Sequence, residues 1–150
     1  MLGELKTNEI EDLLNGQWVA RLGCHANGLT YVVPISYAYD GRAVYGHTTP
    51  GLKLRMLHEN PAVCVQVDHV DNLANWRSVV AWGRFEELTD AAAGDALRLL
   101  IDRFAPLMTG EASTPTHGHL AAHEPPVPGR HGVVFRIMLE RKTGRFERMP

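Results

Sequence analysis

The run Tyr45-Gly46-His47-Thr48-Thr49-Pro50-Gly51-Leu52-Lys53-Leu54-Arg55 puts two cations at the start of a predicted helix. Thr48 or Thr49 carries a hydroxyl that can accept from first-turn amides, and Pro50 suits the first helical position, which needs no donor. Unpaired N–H groups and the helix dipole attract anions there, phosphate above all, and Lys53 and Arg55 would add charge. The same segment also reads as an ordinary capped surface helix. Leu54, Met56 and Leu57 give it an apolar side, and Asn60-Pro61 stops it.

Three more places carry chemistry. In Val32-Val33-Pro34-Ile35-Ser36-Tyr37 a proline interrupts a strand pattern. Proline gives no donor to a ladder, so the segment is an edge, a bulge or a docking place for a planar polar ligand, with Ser36 as a further hydrogen-bonding group. His47 falls between this strand and the anion site, where it is either a ligand contact and proton donor or a loop histidine bonded to backbone. Trp76-Arg77-Ser78 sets an indole beside a guanidinium, which suits a planar or anionic ligand, a partner subunit, or a core tryptophan next to a solvated arginine. His117, His119, His123 and His131 raise zinc or haem. No cysteine lies near them and proline and glycine loosen the spacing, so a mobile lid is the reading and no metal site is assigned. No Ser/His/Asp or Cys/His nucleophile set, no GxGxxG and no GxxxxGK[ST] occurs.

These residues need a scaffold. A chain of 150 residues with 45% hydrophobic content is read as one domain, 1–150, able to bury a core. A formal charge of -2 speaks against a general nucleic-acid or basic membrane-surface binder. No apolar run or leader is visible, and the two cysteines, Cys24 and Cys64, read as buried thiols, so a cytoplasmic setting is expected.

Helices are predicted over Thr7–Leu14, after Thr48 or Thr49, and after the Thr89 cap, the last with Leu97, Leu100, Ile101 and Phe104 as its core face. Strands are predicted over 17–23, 29–39, 42–46, 62–70, 76–88 and 132–140. Asp40-Gly41 makes a hairpin turn, Asp71 to Asn75 a polar connection, and Lys142-Thr143-Gly144-Arg145 a turn into a short last strand. Pro106 to Arg130 is a long loop or lid. Short hairpin-linked strands with peripheral helices make the fold class mainly β, an antiparallel barrel.

The order and spacing of Val33-Pro34-Ile35-Ser36-Tyr37, Tyr45 to Lys53, Asn60 to Cys64 and Trp76 to Glu86 resemble the pyridoxamine 5′-phosphate oxidase-like, FMN-binding split-barrel family, in its nitroimidazole-resistance branch. The closing segments Val133–Ile137 and Gly144–Glu147 give weaker support. The resemblance implies a homodimer with FMN at the subunit interface. It would place the backbone of Val33, Pro34, Ile35, Ser36 and Tyr37 along the flavin ring and His47 and Thr48 beside ring and ribityl chain. Lys53 would hold the phosphate, and Arg77 and Ser78 would approach from the second protomer.

The chain also departs from the oxidases proper. They place adjacent Arg-Lys at the phosphate; Leu52-Lys53 here leaves one charge for Arg55 or Arg77 to replace. Their C-terminal arginine and histidine motif is missing, which argues against pyridoxamine phosphate oxidation. The expectation is an FMN-dependent reductase of a small-molecule electron acceptor, fed by a nicotinamide donor or another reductase, with His47 as proton donor. Storage or sensing of flavin or haem, and a deazaflavin in place of FMN, stay open.

Overall fold

In chain order the elements are strand β1 (Leu2–Glu4), helix α1 (Thr7–Gly16), strands β2 (Val19–Ala26), β3 (Leu29–Ser36), β4 (Ala38–Tyr39) and β5 (Ala43–Thr48), helix α2 (Leu52–Glu59), strands β6 (Ala62–Asn72) and β7 (Asn75–Leu88), helix α3 (Asp90–Phe104), a short 3-10 turn (Ala105–Leu107) and strand β8 (Val133–Glu147). The structure, a computed structural model, describes residues 1–107 and 132–150. The expected lid over 106–130 lies outside this range apart from Pro106 and Leu107, as do His117, His119, His123 and His131.

The strands form one antiparallel sheet in the order β3-β2-β6-β7-β8-β5-β4, with β1 on the free edge of β8. β3 and β4 stand at opposite ends of that order, yet Tyr37 alone separates them in the chain. Residues 29–36 pair with β2 and residues 38–39 with β5, so this one segment curls the sheet into a split barrel. The strand expected over 29–39 is therefore two, broken where the chain passes from one edge to the other. Asn27 and Gly28 turn β2 into β3 with φ of 52° and 79°, the signs a tight two-residue hairpin requires.

Val65 and Val67 of β6, Val79, Ala81 and Phe85 of β7, and Phe135 and Ile137 of β8 point inward and are buried. Each fully buried residue of this size contributes about 1.5–3 kcal/mol. Along β7 the alternate residues Val79, Ala81, Gly83 and Phe85 form the inward set. Leu13 and Leu14 of α1 join the same core. Leu100 and Phe104 of α3 pack beside Ala38, and Ala96 packs with Leu88 and Val134. Ile101, expected in that face, is 40% exposed because Ala96, Leu100 and Phe104 already fill the contact.

Helix α1 begins at Thr7 as expected, and the Lys6 N–H before it donates to Glu9 at 3.2 Å. Two local expectations are corrected. Asp71 and Asn72 extend β6, leaving Leu73-Ala74 as the turn. The predicted turn at Lys142–Arg145 is strand: β8 runs through Gly144, which pairs with Val79. The irregularity falls earlier, where Trp82 faces Arg141 but Gly83 faces Leu139. Gly83 is required there, since a Cβ would lie 2.1 Å from the Met138 carbonyl oxygen. Among the described residues no helix is long and apolar enough to cross a membrane.

Candidate functional site

The proline-bearing strand lies at the end of the sheet, which settles Pro34 as an edge residue. Tyr37 N–H donates to the Trp18 carbonyl at 3.1 Å, and Ser36 stands opposite Val19. Antiparallel alternation then turns the backbone groups of Val33 and Ile35 toward β2 and those of Pro34 and Ser36 toward the free edge. Proline costs nothing there because its missing donor would have met no strand. Val33 and Ile35 side chains belong to the core, so this strand offers a ligand its backbone and Ser36. Ser36 is 7% exposed, and its Oγ is buried with no hydrogen-bond partner among the described residues.

Tyr37 is fully buried, and its hydroxyl donates to the Leu14 carbonyl of α1 at 2.6 Å. Burial pushes the phenol well above its ordinary range. Its side chain therefore anchors α1 to the barrel and is not turned toward a ligand.

His47 and Thr48 end β5 opposite Val134 and Val133, within a strand instead of a loop. The ring nitrogens of His47 are buried, and Gly132 lies against them: a Cβ on Gly132 would stand 2.6 Å from Nε2. Thr48 is buried and its hydroxyl donates to the Thr49 carbonyl at 3.2 Å, so it does not cap the helix. Gly51 precedes α2, which begins at Leu52 with no side-chain cap. Its open first-turn amides are thus left to solvent or a ligand.

Lys53 lies in that first turn, half-buried. Desolvation lowers its pKa, and the nearby Cys24 thiol acts against that shift. Burial in turn raises the Cys24 pKa. A half-buried ammonium without a carboxylate among the described residues fits an anion. Arg55 does not share this place: residues two apart on a helix point to different sides, and Arg55 is exposed.

Arg77 and Ser78 face His69 and Asp68 across the β6–β7 ladder. Cys64, opposite Trp82 and beside Cys24, marks the Lys53 end. Five residues of β6 separate the two levels, about 17 Å along the strand. Within one chain Lys53 lies at the Cys24 end of the sheet, and Arg77 and Ser78 lie away from it.

Sequence reasoning missed the outer face between these groups. An open groove of about 400 Å³ is lined by Gly23, Val32, Cys64, Trp82 and Glu140 among others. Beside it Gln66 bonds Asp68 and Ser78. The signal was the alternation in β6, where Cys64, Gln66 and Asp68 interleave with Val63, Val65 and Val67.

A family model described as pyridoxamine 5′-phosphate oxidase matches residues 6–128. The chain belongs to the pyridoxamine 5′-phosphate oxidase-like split-barrel family. A crystal structure of a FAD-binding protein from Mesorhizobium loti is 33% identical, covers 97% of this chain and 98% of its own, and superposes with a TM-score of 0.75. A Bacteroides thetaiotaomicron protein named for 5-nitroimidazole antibiotic resistance shares the fold at a TM-score of 0.70, with 20% identity over 97% of this chain and 87% of its own. A FAD and heme binding protein from Mycobacterium smegmatis also has a TM-score of 0.70, with 22% identity over 97% of this chain and 73% of its own. An uncharacterized protein of Rhizobium meliloti is 39% identical over 70 residues, 47% of this chain and 46% of that protein. The chain thus spans about half the length of the curated relative it matches.

Proposed function

We propose that this family member binds FMN between two copies of itself and acts as a reductase of a small molecule. The observation that carries the reading is Lys53, a half-buried ammonium in the open first turn of α2 with no carboxylate partner among the described residues. The phosphate would sit on that turn, with the free edge of Pro34 and Ser36 and the buried Ser36 Oγ along the ring. A bound flavin supplies the redox chemistry, and the protein positions it and excludes competitors. His47 would give a proton or hydrogen bond to the acceptor.

Support for the dimer comes from the spacing of the site. Arg77 and Ser78 lie far from Lys53 on one chain, and a second copy would bring both sets to one ligand. The outer sheet face also carries Val32 at 62% and Trp82 at 39% exposure, apolar surface suited to a partner. A nicotinamide donor and a cytoplasmic setting complete the proposal.

A second reading, FAD in place of FMN, is favoured by the Mesorhizobium loti relative, named as FAD-binding and similar over nearly the whole chain. Titration of purified protein with FMN, FAD, haem and a deazaflavin decides among them. Saturable FMN uptake at about one per chain is expected for an interfacial site repeated by symmetry. Absence of FMN binding would overturn the proposal, and tighter FAD or haem binding would replace the cofactor.

A further inference from the structure

Gln66 belongs to none of the groups already placed at the ligand, yet its side chain is fixed by two hydrogen bonds. Its Nε2 lies 2.9 Å from Asp68 Oδ2 and 3.0 Å from Ser78 Oγ, and Arg21 Nη1 lies 3.8 Å from Asp68. A carboxylate only accepts, so the NH2 end of the carboxamide must be the end that faces Asp68. Both amide hydrogens are then committed, one to Asp68 and one to Ser78. Ser78 Oγ accepts that bond, so its own hydrogen points to another acceptor. The carboxamide oxygen of Gln66 is buried with no hydrogen-bond partner among the described residues. A buried acceptor left unpaired costs stability unless something outside the chain supplies the donor.

We infer that Gln66 Oε1 and the Ser78 hydroxyl form an acceptor–donor couple that reads the imide edge of the flavin ring. That edge presents an N–H beside a carbonyl, so Gln66 takes the ring N–H while Ser78 donates to the oxygen. Asp68 and Arg21 are positioning residues that prevent the carboxamide from turning over. The inference rests on the flavin reading above. It adds a specificity element, because haem has no such edge and a flavin methylated at that nitrogen has no hydrogen to give.

The test compares the affinity of the purified protein for FMN and for N3-methyl-FMN, in wild type and in Gln66→Leu. Wild type should bind FMN about tenfold more tightly, the scale of one lost hydrogen bond with a buried group left unpaired. Gln66→Leu should bind both about equally, with its thermal melt confirming the fold. Equal binding of both flavins by wild type overturns the inference, and needs no variant. Discrimination retained in Gln66→Leu also overturns it by moving the selectivity elsewhere. Failure of wild type to bind FMN at all instead overturns the cofactor reading and the inference with it.

Discussion

The Lys53 ammonium sits beside the Cys24 thiol, each shifting the other's ionisation, and no carboxylate among the described residues shares the place. An anion that arrives there gains a charge-assisted bond without first breaking an ion pair. Lys53→Met should therefore weaken FMN binding about ten- to hundredfold, the scale of one lost hydrogen bond to a charged group. Riboflavin, which lacks the phosphate, should bind wild type and variant alike. An unchanged FMN affinity in fluorescence titration would remove Lys53 from the phosphate site.

The same burial predicts a pH dependence. Desolvation puts the folded-state pKa of Lys53 below its ordinary 10.5. Between the two values the unfolded chain holds the proton more than the folded chain does, so stability from this group rises with pH. A bound anion works the other way, raising the pKa and binding best to the protonated form. FMN affinity should fall as pH climbs from neutrality toward 10.5. That fall should be shallower in Lys53→Met, and identical slopes would assign the dependence to another group.

If Arg77 reaches the ligand from a second copy, damaged chains can repair each other. Neither Lys53→Met nor Arg77→Ala alone should bind FMN well. When the two are mixed and allowed to exchange, each heterodimer should contain one site with both residues intact. About a quarter of all sites should then recover, given random assortment into two-fold dimers. Residues acting within one chain would give no recovery, since every chain carries one lesion.

Much of this arrangement was legible because local and tertiary signals agreed. β-Rich runs marked β6 and β7 as strands, and Pro34 pointed to an edge, a bulge or a docking place, of which the structure has the edge. The helix start was misplaced because hydroxyls at Thr48 and Thr49 resemble caps. Pairing of Thr48 with Val133 draws it into β5 instead. Gly144 read as a turn because the sequence does not display the close approach of Leu5, which a Cβ there would meet at 2.8 Å. Gln66 passed unnoticed because its role depends on Asp68 and Ser78, brought together only by register.

Gly132 tests His47 without altering its chemistry. A methyl group at Gly132 would fall 2.6 Å from Nε2, so Gly132→Ala must displace the ring or the start of β8. If His47 serves the acceptor, Gly132→Ala and His47→Phe should both lower turnover in a stopped-flow oxidation of the reduced protein, while flavin affinity changes little. A loss about 10²-fold or more is the range of a general acid. Full turnover in both variants would leave His47 a packing residue.

Tyr37 separates anchoring from binding. Its phenol is fully buried and donates to the Leu14 carbonyl, while Arg103 Nη2 donates to the Gln17 carbonyl at 3.1 Å just beyond α1. Tyr37→Phe keeps the ring volume but strands the Leu14 oxygen without its donor. The cost should be about 1–3 kcal/mol, the desolvation penalty of one unsatisfied buried acceptor. Denaturant unfolding should show it as a lower midpoint at unchanged slope, because the surface exposed on unfolding stays the same. FMN affinity should not move, since only the Tyr37 backbone borders the proposed ring site. A variant as stable as wild type but poor in FMN binding would reverse the assignment and put the hydroxyl on the ligand.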